Sequence, residues 1–554
     1  MFSRPRRPAL TPSGRAWRRA AEEEVHALPA RPRISVLMPT YETDPRYLRK
    51  AIESVRGQRY PDWELCIADD GSRGAAVRRV LERYRRSDER VSVTYLESNA
   101  GISAATNAAL ELATGDFVAF LDHDDVLPSD ALLRVAQALG ADASLDVVYS
   151  DSDKLTPHST RSDPFFKPDW SPTYALGAMY VGHLLVVRRA LAEEAGGFDS
   201  AFDKIQDFEF MLRVSERTDR IHHIPLILYH WRAIPGSIAA GADQKSGVPE
   251  LQAKAVTAHL RRLGVPAAAA PHPSIPHRAT LIPDPERAPD LAGLAASVSM
   301  VIPSRGEPRR LERLLGSLRS VSVQLPGEVV VVGADPGRPD GLPILAVEDP
   351  SPVFRRSHAA NLGAAQATGE WLLFCSDAVE LTEPDWLAQL LLHAALPWVG
   401  AVGPLLLRPD ARTDAAGYAI GLDHPTLPML TGLEAGEDGY YGALACARDV
   451  SAISGEFMLV RASAFQEGGG FEENYFSGYE DFDLCQRLRQ GGLGVVYAPR
   501  PQVVVHETPA ARDEALDIVD RALFVDRWYH ELEEGDPFFN QNFVRSEASF
   551  AVAS

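Results

Sequence analysis

The feature of this chain that most constrains its fold is an internal repeat of domain size. Phe120-Leu121-Asp122-His123-Asp124-Asp125 is matched about 254 residues later by Phe374-Cys375-Ser376-Asp377-Ala378-Val379. Three other segments recur in the same order: 33–40 as 297–304, 196–199 as 469–472, and 206–209 as 480–483. A repeat of this length indicates two homologous domains, and 554 residues exceed what one core usually supports.

Composition excludes one class of partner. The formal net charge is −20, and nucleic acids are normally bound by a basic face, so we expect no nucleic acid partner. Hydrophobic residues make up 45% of the chain, which is enough for packed cores. The four cysteines, Cys66, Cys375, Cys446 and Cys485, lack metal-like spacing and are typical of a reduced, cytoplasmic protein.

The first 32 residues form a basic arm. It contains no apolar core of a secretory signal, and its arginines are Arg4, Arg6, Arg7, Arg15, Arg18 and Arg19. Two interpretations are open, a disordered tail or contact with anionic lipid. We therefore expect a cytoplasmic protein, with or without peripheral contact at the inner face of the plasma membrane.

One apolar stretch, residues 386–407, has the length of a membrane span. It contains Gln389, His393, Pro397 and Pro404, and its counterpart in the first copy is a helix, a turn and a strand. We predict buried structure here rather than a membrane span.

Hydrophobic periodicity alternates between the spacing of strands and that of helices. Strands are predicted at 34–38, 65–68, 91–96 and 117–121, and helices at 46–57 and 102–113. This βαβαβ pattern predicts an α/β fold with a mainly parallel, Rossmann-like sheet covered by helices. Ligands bind such sheets at the carboxyl ends of the strands, where Thr40, Tyr41, Glu42, Asp69 and the 122–125 loop lie.

These motifs resemble those of the inverting family 2 glycosyltransferases, which have the GT-A fold. The resemblance spans residues 33 to about 265 and is carried by Pro39-Thr40-Tyr41, Asp69-Asp70-Gly71-Ser72, the 99–107 segment, Asp122-His123-Asp124-Asp125 and Gln206-Asp207. The 149–154, 166–170 and 228–232 segments resemble the tandem-domain branch found in O-antigen and capsule gene clusters. Residues 297 to about 510 resemble the same family with weaker motifs, which implies two tandem GT-A-like domains.

The resemblance implies a nucleotide-sugar transferase that uses a divalent metal, Mg²⁺ or Mn²⁺. A cation must neutralise the leaving diphosphate, and carboxylate oxygens suit both ions. By resemblance Asp124 and His230 bind the metal, Asp122 contacts the ribose and Asp125 supports the turn. Taken alone, an acidic loop at a strand end is more often a solvated turn, and a histidine between Tyr229 and Trp231 is more often a packed side chain.

The same resemblance assigns Thr40, Tyr41, Glu42, Asp69 and Asn107 to the nucleotide sugar. It implies a uracil or thymine base, so we expect a donor of the UDP or dTDP type. The structural alternative for Asp69 is an Asp-Gly turn that ends a strand.

A carboxylate base must take the proton of the attacking acceptor hydroxyl. By resemblance this base is Asp207, at the start of a helix predicted for residues 207–213. The helix N-terminus is expected to lower the pKa of Asp207 and keep it ionised. The structural alternative is that Asp207 only caps this helix.

The second copy departs from the pattern at three places. Ser376 replaces Asp122, Ala378 replaces Asp124, and Gly333-Ala334-Asp335 replaces Asp69-Asp70-Gly71. The remnants of the site are Asp377, Glu480, Asp481 and His506. Either this domain uses Asp377 and Glu380 in a shifted arrangement, or it is a non-catalytic module that binds glycan, lipid or a partner; we favour the second interpretation.

The predicted organisation is a basic arm at 1–32, a catalytic GT-A domain at 33–265, an extended Pro/Ala-rich linker at 266–296, a degenerate GT-A-like domain at 297–530 and a tail at 531–554. The expected activity is inverting transfer of a hexosyl or deoxyhexosyl group to a glycan or lipid-linked glycan in bacterial surface polysaccharide synthesis. The alternatives are a bifunctional transferase with two active domains and a non-catalytic glycan-binding scaffold. A nucleotidyltransferase is disfavoured, because residues 39–42 are not a glycine-rich phosphate loop.

Overall fold

The computed structural model describes residues 23–156, 160–233, 247–337, 341–476, 478–506 and 514–553. The chain divides into two compact units. The first comprises the chain up to Trp170 together with Met179–Val256, and the second comprises Ser171–Ala178 together with Thr257–Ala553. The six arginines on which the prediction of a basic arm rests lie outside the described residues.

The first unit is an eight-stranded sheet with helices. Its strands are β1 (Ile34–Thr40), β2 (Trp63–Asp69), β3 (Val91–Tyr95), β4 (Phe117–Phe120), β5 (Val147–Leu155), β6 (Arg161–Phe165), β7 (Leu185–Arg188) and β8 (Ile221–Arg232). They follow the order β3-β2-β1-β4-β7-β5-β6, and β8 pairs with β5. The pairs β1–β2, β1–β4, β2–β3 and β5–β8 are parallel. The helices in this part of the chain are α1 (Pro45–Arg56), α2 (Ala75–Ser87), α3 (Ile102–Glu111), α4 (Ala131–Ala141), α5 (Pro172–Gly177), α6 (Arg189–Glu194), α7 (Gln206–Ser215) and α8 (Val248–Arg262). Helix α5 belongs to the second unit.

The second unit contains a ten-stranded sheet and two small two-stranded sheets. Its strands are β9 (Ala267–Pro271), β10 (Ala279–Pro283), β11 (Val298–Pro303), β12 (Glu328–Val332), β13 (Ile344–Val347), β14 (Trp371–Cys375), β15 (Val379–Leu381), β16 (Val399–Leu407), β17 (Thr413–Ala415), β18 (Tyr418–Ile420), β19 (Thr426–Pro428), β20 (Arg448–Asp449), β21 (Phe457–Arg461) and β22 (Gly494–Val505). Its further helices are α9 (Ala288–Ala296), α10 (Pro308–Val321), α11 (Arg356–Gln366), α12 (Trp386–Ala394), α13 (Ala462–Glu467), α14 (Glu480–Gln490), α15 (Glu514–Arg527) and α16 (Tyr529–Glu534).

The strand orders confirm the predicted α/β fold and its repetition. The path β3-β2-β1-β4-β7-β5 of the first unit, continued by β8, corresponds to β13-β12-β11-β14-β21-β16-β22 of the second. A glutamate, buried in the first sheet and half-buried in the second, occupies the same place in both sheets. Glu64 accepts hydrogen bonds from Ser35 and Thr114, and Glu328 accepts them from Ser299 and Thr368.

Local sequence explains why the first unit begins as predicted. Asp44 caps α1 by accepting a hydrogen bond from the backbone N–H of Arg46, and Pro45 occupies a first-turn position that needs no donor. The apolar face of α1 then buries Leu48, Ala51, Ile52 and Val55. The chain therefore returns to the sheet at β2, parallel to β1.

The prediction of an extended linker at 266–296 is wrong. The segment forms the antiparallel pair β9–β10 and helix α9. Pro283 ends β10 and Pro289 lies in the first turn of α9, where a proline removes no required hydrogen bond. Leu281, Leu291 and Ala295 are buried, so the segment is packed structure.

Residues 386–407 form helix α12, a turn and strand β16, which confirms the prediction of buried structure. Within the described ranges, every helix is too short or too polar to cross a bilayer. The C-terminal residues, which sequence left without a role, pack through Phe539, Phe543 and Phe550, whose ring centroids lie 5.2 to 5.4 Å apart. All four cysteines are buried and free.

Candidate active site

The edge where β1 and β2 end carries two buried polar atoms that lack partners. Thr40 and Asp69 are register neighbours at this edge, and both are buried. Among the described residues, Oγ1 of Thr40 and Oδ1 of Asp69 have no hydrogen-bond partner. Asp69 uses only Oδ2, which accepts from the backbone N–H of Ser72, and burial raises its pKa. Because buried polar atoms are nearly always satisfied, this pair indicates a site for a polar ligand.

The loops beside this edge hold Tyr41 and Glu42. Tyr41 is 40% exposed, so its ring is available to a ligand. Glu42 has a positive φ of 44°. Its backbone N–H donates to Oγ of Ser72, and its carboxylate accepts from the backbone N–H of Arg73. Glu42 therefore fixes the loop that follows β2.

The acidic loop after β4 is anchored by Asp125. Its carboxylate accepts from the hydroxyl of Tyr229 at 2.8 Å and from the backbone N–H of Arg232 at 2.6 Å. Burial raises the pKa of Asp125, and the nearby Asp122 and Asp124 carboxylates raise it further. The Arg232 guanidinium donates to the carbonyl oxygen of Asp124 at 2.7 Å. Asp125 thus supports the turn, while the side chain of Asp122 remains 42% exposed.

The same contacts bring Asp124 and His230 to one strand end. Val126 and His230 exchange backbone hydrogen bonds of 3.3 and 3.0 Å. Nδ1 of His230 bonds to the buried carboxylate of Asp153, which also contacts Arg161. The described residues give Nε2 of His230 no hydrogen-bond partner. A carboxylate behind one ring nitrogen is the usual support for a histidine that binds metal through the other.

The donor set fits a divalent cation that arrives with a diphosphate. No group of three or more His, Cys, Asp or Glu side chains within the described ranges is arranged as a metal cage. Magnesium is usually bound by one or two carboxylates together with substrate phosphates. Asp124 offers one carboxylate of this kind, and His230 adds an imidazole, a ligand more typical of transition-metal ions than of magnesium.

A cleft below the acidic loop contains the predicted base. It is open to solvent, contains about 390 Å³ of empty space including that solvent, and is lined by Ile102, Asp122, His183, Gln206 and Asp207 among others. Asp207 is the second residue of α7, and its Oδ1 accepts from the backbone N–H of Phe208 at 2.9 Å. The described part of the chain gives Oδ2 of Asp207 no hydrogen-bond partner. One carboxylate oxygen is therefore available to a ligand in the cleft.

Two expectations for Asp207 are wrong. Ile205, not Asp207, is the cap residue of α7. The pKa of Asp207 is raised rather than lowered, because removal from water outweighs the favourable effects of His183 and the Phe208 N–H. A raised pKa brings the carboxylate closer to the pH at which it acts as a base.

The side chain of Asn107, which is predicted to contact the nucleotide sugar, forms two hydrogen bonds to the backbone of Phe198. Its amide donates to the carbonyl oxygen of Phe198 and its carbonyl accepts from the Phe198 N–H, both at 2.8 Å. Asn361 makes the same pair of bonds to Phe471. The side chain of Asn107 therefore ties α3 to the Phe198 backbone, and the equivalent Asn361 does the same in the second unit.

The corresponding cleft of the second unit is filled by a charged cluster. The repeat matches Ile102 to Arg356, His183 to Glu456 and Gln206 to Glu480. The Arg356 guanidinium lies 2.9 Å from Glu456 and 3.5 Å from Glu480, and Asp481 also raises its pKa. We call these four residues, Arg356, Glu456, Glu480 and Asp481, the arginine cluster.

The other remnants of the second site are also bound internally. Oδ2 of Asp481 accepts from the backbone N–H of Gly455 at 2.7 Å, whereas the equivalent oxygen of Asp207 is open. Asp377 accepts from Ser304 at 2.7 Å. His506 is paired with Glu380. In the shifted arrangement considered from sequence, Asp377 and Glu380 thus have different partners, Ser304 and His506.

Sequence reasoning missed His183 and the support that Asp153 gives to His230. His183 precedes β7 and carries no motif of its own. The signal was the repeat, in which Gly182 and Gly455 match while the next residue changes from His to Glu.

Comparison with known proteins agrees with these motifs. The model of glycosyl transferase family 2 matches residues 35–196. An uncharacterised protein of Sinorhizobium fredii is 34% identical over 96% of this chain, and the O-antigen biosynthesis protein RfbC of Myxococcus xanthus is 33% identical over 95%. The chain spans only 60% and 41% of the length of these two relatives.

A shorter relative is matched over most of its length. The N-acetylglucosaminyl-diphospho-decaprenol L-rhamnosyltransferase of Mycobacterium tuberculosis is 32% identical, and the match covers 37% of this chain and 75% of that protein. A mannosyltransferase of Pyrobaculum calidifontis, solved with GDP-Man and Mn²⁺, is 20% identical with a TM-score of 0.32, covering 45% of this chain and 70% of that one. The matched motifs and the relative covered over three quarters of its length place this chain in glycosyl transferase family 2.

Proposed function

We propose that the first unit is an inverting glycosyltransferase that moves a hexosyl or deoxyhexosyl group from a nucleoside diphosphate to a glycan or lipid-linked glycan. The observation that carries this proposal is the cleft shared by Asp122 and Asp207. Asp207, which has one carboxylate oxygen without a partner among the described residues, lines this cleft together with Asp122 of the acidic loop. A single displacement needs this arrangement, with a base on one side of the sugar and the leaving diphosphate on the other.

The nucleoside is proposed to bind at the edge of β1 and β2. The open oxygens of Thr40 and Asp69 suit a base with both donor and acceptor groups, such as uracil or thymine. Tyr41 lies beside them and is exposed. This supports a donor of the UDP or dTDP type.

Asp124 and His230 would hold a divalent cation, Mg²⁺ or Mn²⁺, and Asp122 would contact the ribose. When bound, the cation neutralises charge on the leaving diphosphate. The hydrogen bond from His230 to Asp153 fixes the ring for this task. Asp207 then removes the proton of the acceptor hydroxyl as it attacks the anomeric carbon.

The proposed setting is bacterial surface polysaccharide synthesis. Two relatives bear on it by name, the O-antigen biosynthesis protein RfbC and a rhamnosyltransferase that acts on a diphospho-decaprenol acceptor. A lipid-linked acceptor would bring the protein to the inner face of the plasma membrane, and the basic N-terminal arm is proposed to contact anionic lipid there.

The second unit is proposed to be accessory rather than catalytic. The arginine cluster fills the position of the cleft, and Ser376 and Ala378 replace the two loop carboxylates. The alternatives remain a transferase with two active units and a glycan-binding scaffold.

The test is Mn²⁺-dependent transfer or hydrolysis with a panel of UDP- and dTDP-sugars, with isothermal titration of UDP as a binding measurement. Asp124→Ala and Asp207→Asn should each reduce turnover by a factor of about 10³ or more. Asp481→Asn is the matched control in the second unit and should retain donor turnover. Full turnover in both first-unit variants would refute the site assignment, and loss in Asp481→Asn without misfolding would favour two active units. Binding of glycan without turnover of any donor would favour the scaffold.

A further inference from the structure

The cleft of the first unit contains two hydrogen-bond acceptors that the described chain leaves unsatisfied. Nδ1 of His183 and Oε1 of Gln206 are buried and have no hydrogen-bond partner among the described residues. Both side chains line the cleft that also contains Asp122 and Asp207. Buried polar atoms without partners are uncommon in folded proteins, so two of them in one cleft indicate a ligand.

His183 is held in one orientation by aromatic neighbours. Its ring stacks on Tyr229 with centroids 4.9 Å apart and an interplanar angle of 25°. It also contacts Trp231 at 5.8 Å. Nε2 of His183 lies 3.7 Å from Oδ2 of Asp122, so the carboxylate favours the tautomer with the proton on Nε2. Nδ1 is then an acceptor, and burial lowers the pKa of His183 to about 4, which keeps the ring neutral near pH 7.

The backbone around His183 is fixed by a buried lysine. Lys167 is completely buried, and its Nζ donates to the carbonyl oxygens of Val181 at 2.6 Å and His183 at 2.8 Å. A third bond goes to the carbonyl oxygen of Ser150. The imidazole is therefore presented to the cleft by a rigid segment.

In the second unit, the residues at the same two positions contact a side chain that can donate hydrogen bonds. Glu456 replaces His183 and Glu480 replaces Gln206. Glu456 accepts a hydrogen bond from the Arg356 guanidinium at 2.9 Å, and Glu480 forms an ion pair with the same guanidinium at 3.5 Å. The corresponding residue of the first unit is Ile102, which has no hydrogen to donate. The Ile102 side chain therefore gives His183 and Gln206 no hydrogen-bond donor, which leaves both atoms available to a ligand in the cleft.

We propose that His183 and Gln206 bind two hydroxyl groups of a sugar ring in the cleft and so set the specificity of the transferase. Sugar hydroxyls are neutral donors that match two neutral acceptors beside Asp122 and Asp207. The inference rests on the proposed function, and the ring belongs either to the donor sugar or to the acceptor glycan.

The test compares His183→Phe, His183→Asn and Gln206→Met with the wild-type protein. Phe keeps an aromatic ring on Tyr229 but removes both nitrogens, and Asn keeps a hydrogen-bonding group near Nδ1. Met keeps the length of Gln206 and removes its amide. The probes are UDP, dTDP, UDP-glucose, UDP-galactose, UDP-N-acetylglucosamine and dTDP-rhamnose, each with Mn²⁺.

We expect all variants to bind UDP or dTDP within about twofold of wild type, because Thr40 and Asp69, which are proposed to bind the base, do not line the cleft and Asp122 is unchanged in every variant. His183→Phe and Gln206→Met should lower kcat/KM for a competent donor by about 10- to 100-fold, and His183→Asn should recover most of the loss. A deoxy donor that lacks the bound hydroxyl should be poor for wild type and no worse for the variant, as in a double-mutant cycle. Losses in donor hydrolysis assign the ring to the donor, and losses confined to the acceptor KM assign it to the acceptor.

Two outcomes would overturn the proposal. If wild type transfers sugar and both His183→Phe and Gln206→Met keep kcat/KM within twofold, this inference is wrong and the proposed function stands. If wild type binds no nucleotide and turns over no donor in the panel, both are wrong. Circular dichroism and unchanged nucleotide affinity distinguish a specific loss from misfolding.

Discussion

Replacing Arg356 with Ile, the residue at the matching position of the first unit, is expected to destabilise the second unit. The guanidinium contacts Glu456 and Glu480, whose side chains are only 16% and 6% exposed. Breaking a buried ion pair by removing one partner costs about 3–5 kcal/mol. Arg356 itself is 30% exposed, so water replaces part of the lost interaction and we expect about 2–3 kcal/mol.

A loss of this size is visible as a change in melting temperature. For a unit of this size, about 1 kcal/mol corresponds to roughly 2–4 °C, so the Tm of the second unit should fall by about 4–12 °C. Differential scanning calorimetry of the full chain is the suitable assay, because two units need not unfold in one transition. Donor turnover by the first unit should be unchanged below that transition.

The control is a triple variant in which three positions of the second unit carry the residues found at the matching positions of the first unit. In Arg356→Ile combined with Glu456→His and Glu480→Gln, no buried carboxylate at these two positions is left without a cation, so most of the lost Tm should return. A shift below about 1 °C in Arg356→Ile would show that water already screens the cluster. A triple variant as unstable as the single one would show that packing of the arginine stem, and not charge, holds this region together.

Three further predictions concern the first unit. Burial raises the pKa of Asp207, and a base must be deprotonated to act. The acidic limb of the pH–kcat/KM profile should therefore lie at a higher pH than for an ordinary aspartate. A profile with its acidic limb in the ordinary aspartate range would contradict this. Asp153→Asn should weaken Mn²⁺ activation by about 10- to 100-fold with UDP affinity in the absence of metal unchanged, as measured by metal titration of turnover, and an unchanged titration would remove Asp153 from the metal site. Thr40→Val should lower UDP affinity about tenfold in calorimetry while thermal stability changes little, since Oγ1 of Thr40 has no partner among the described residues to lose; unchanged affinity would place the nucleoside elsewhere.

Much of the fold followed from local pattern. Strand and helix spacing predicted β1, α1, β2, β3, α3 and β4 within a few residues, because alternation and caps such as Asp44 are properties of short segments. The repeat added to this information, since seven strands of the second sheet have counterparts in the first. The 266–296 segment failed because its composition suggested an extended chain, while burial of Leu281 and Leu291 depends on residues distant in sequence.

The sequence by itself determined that two α/β units repeat one layout, that Thr40, Asp69 and Asp122 end strands of one parallel sheet, and that the second copy lacks the loop carboxylates. These properties depend on periodicity and on order along the chain. Tertiary structure alone decided which polar atoms remain unsatisfied. It showed that Asn107 forms hydrogen bonds to the backbone of Phe198 and that burial raises the pKa of Asp207. It also showed that His183 lines the same cleft as Asp207. The physical reason is that hydrogen-bond satisfaction and desolvation depend on neighbours brought together from distant segments, such as Arg356 with Glu456 and Glu480, and spacing along the chain does not specify them.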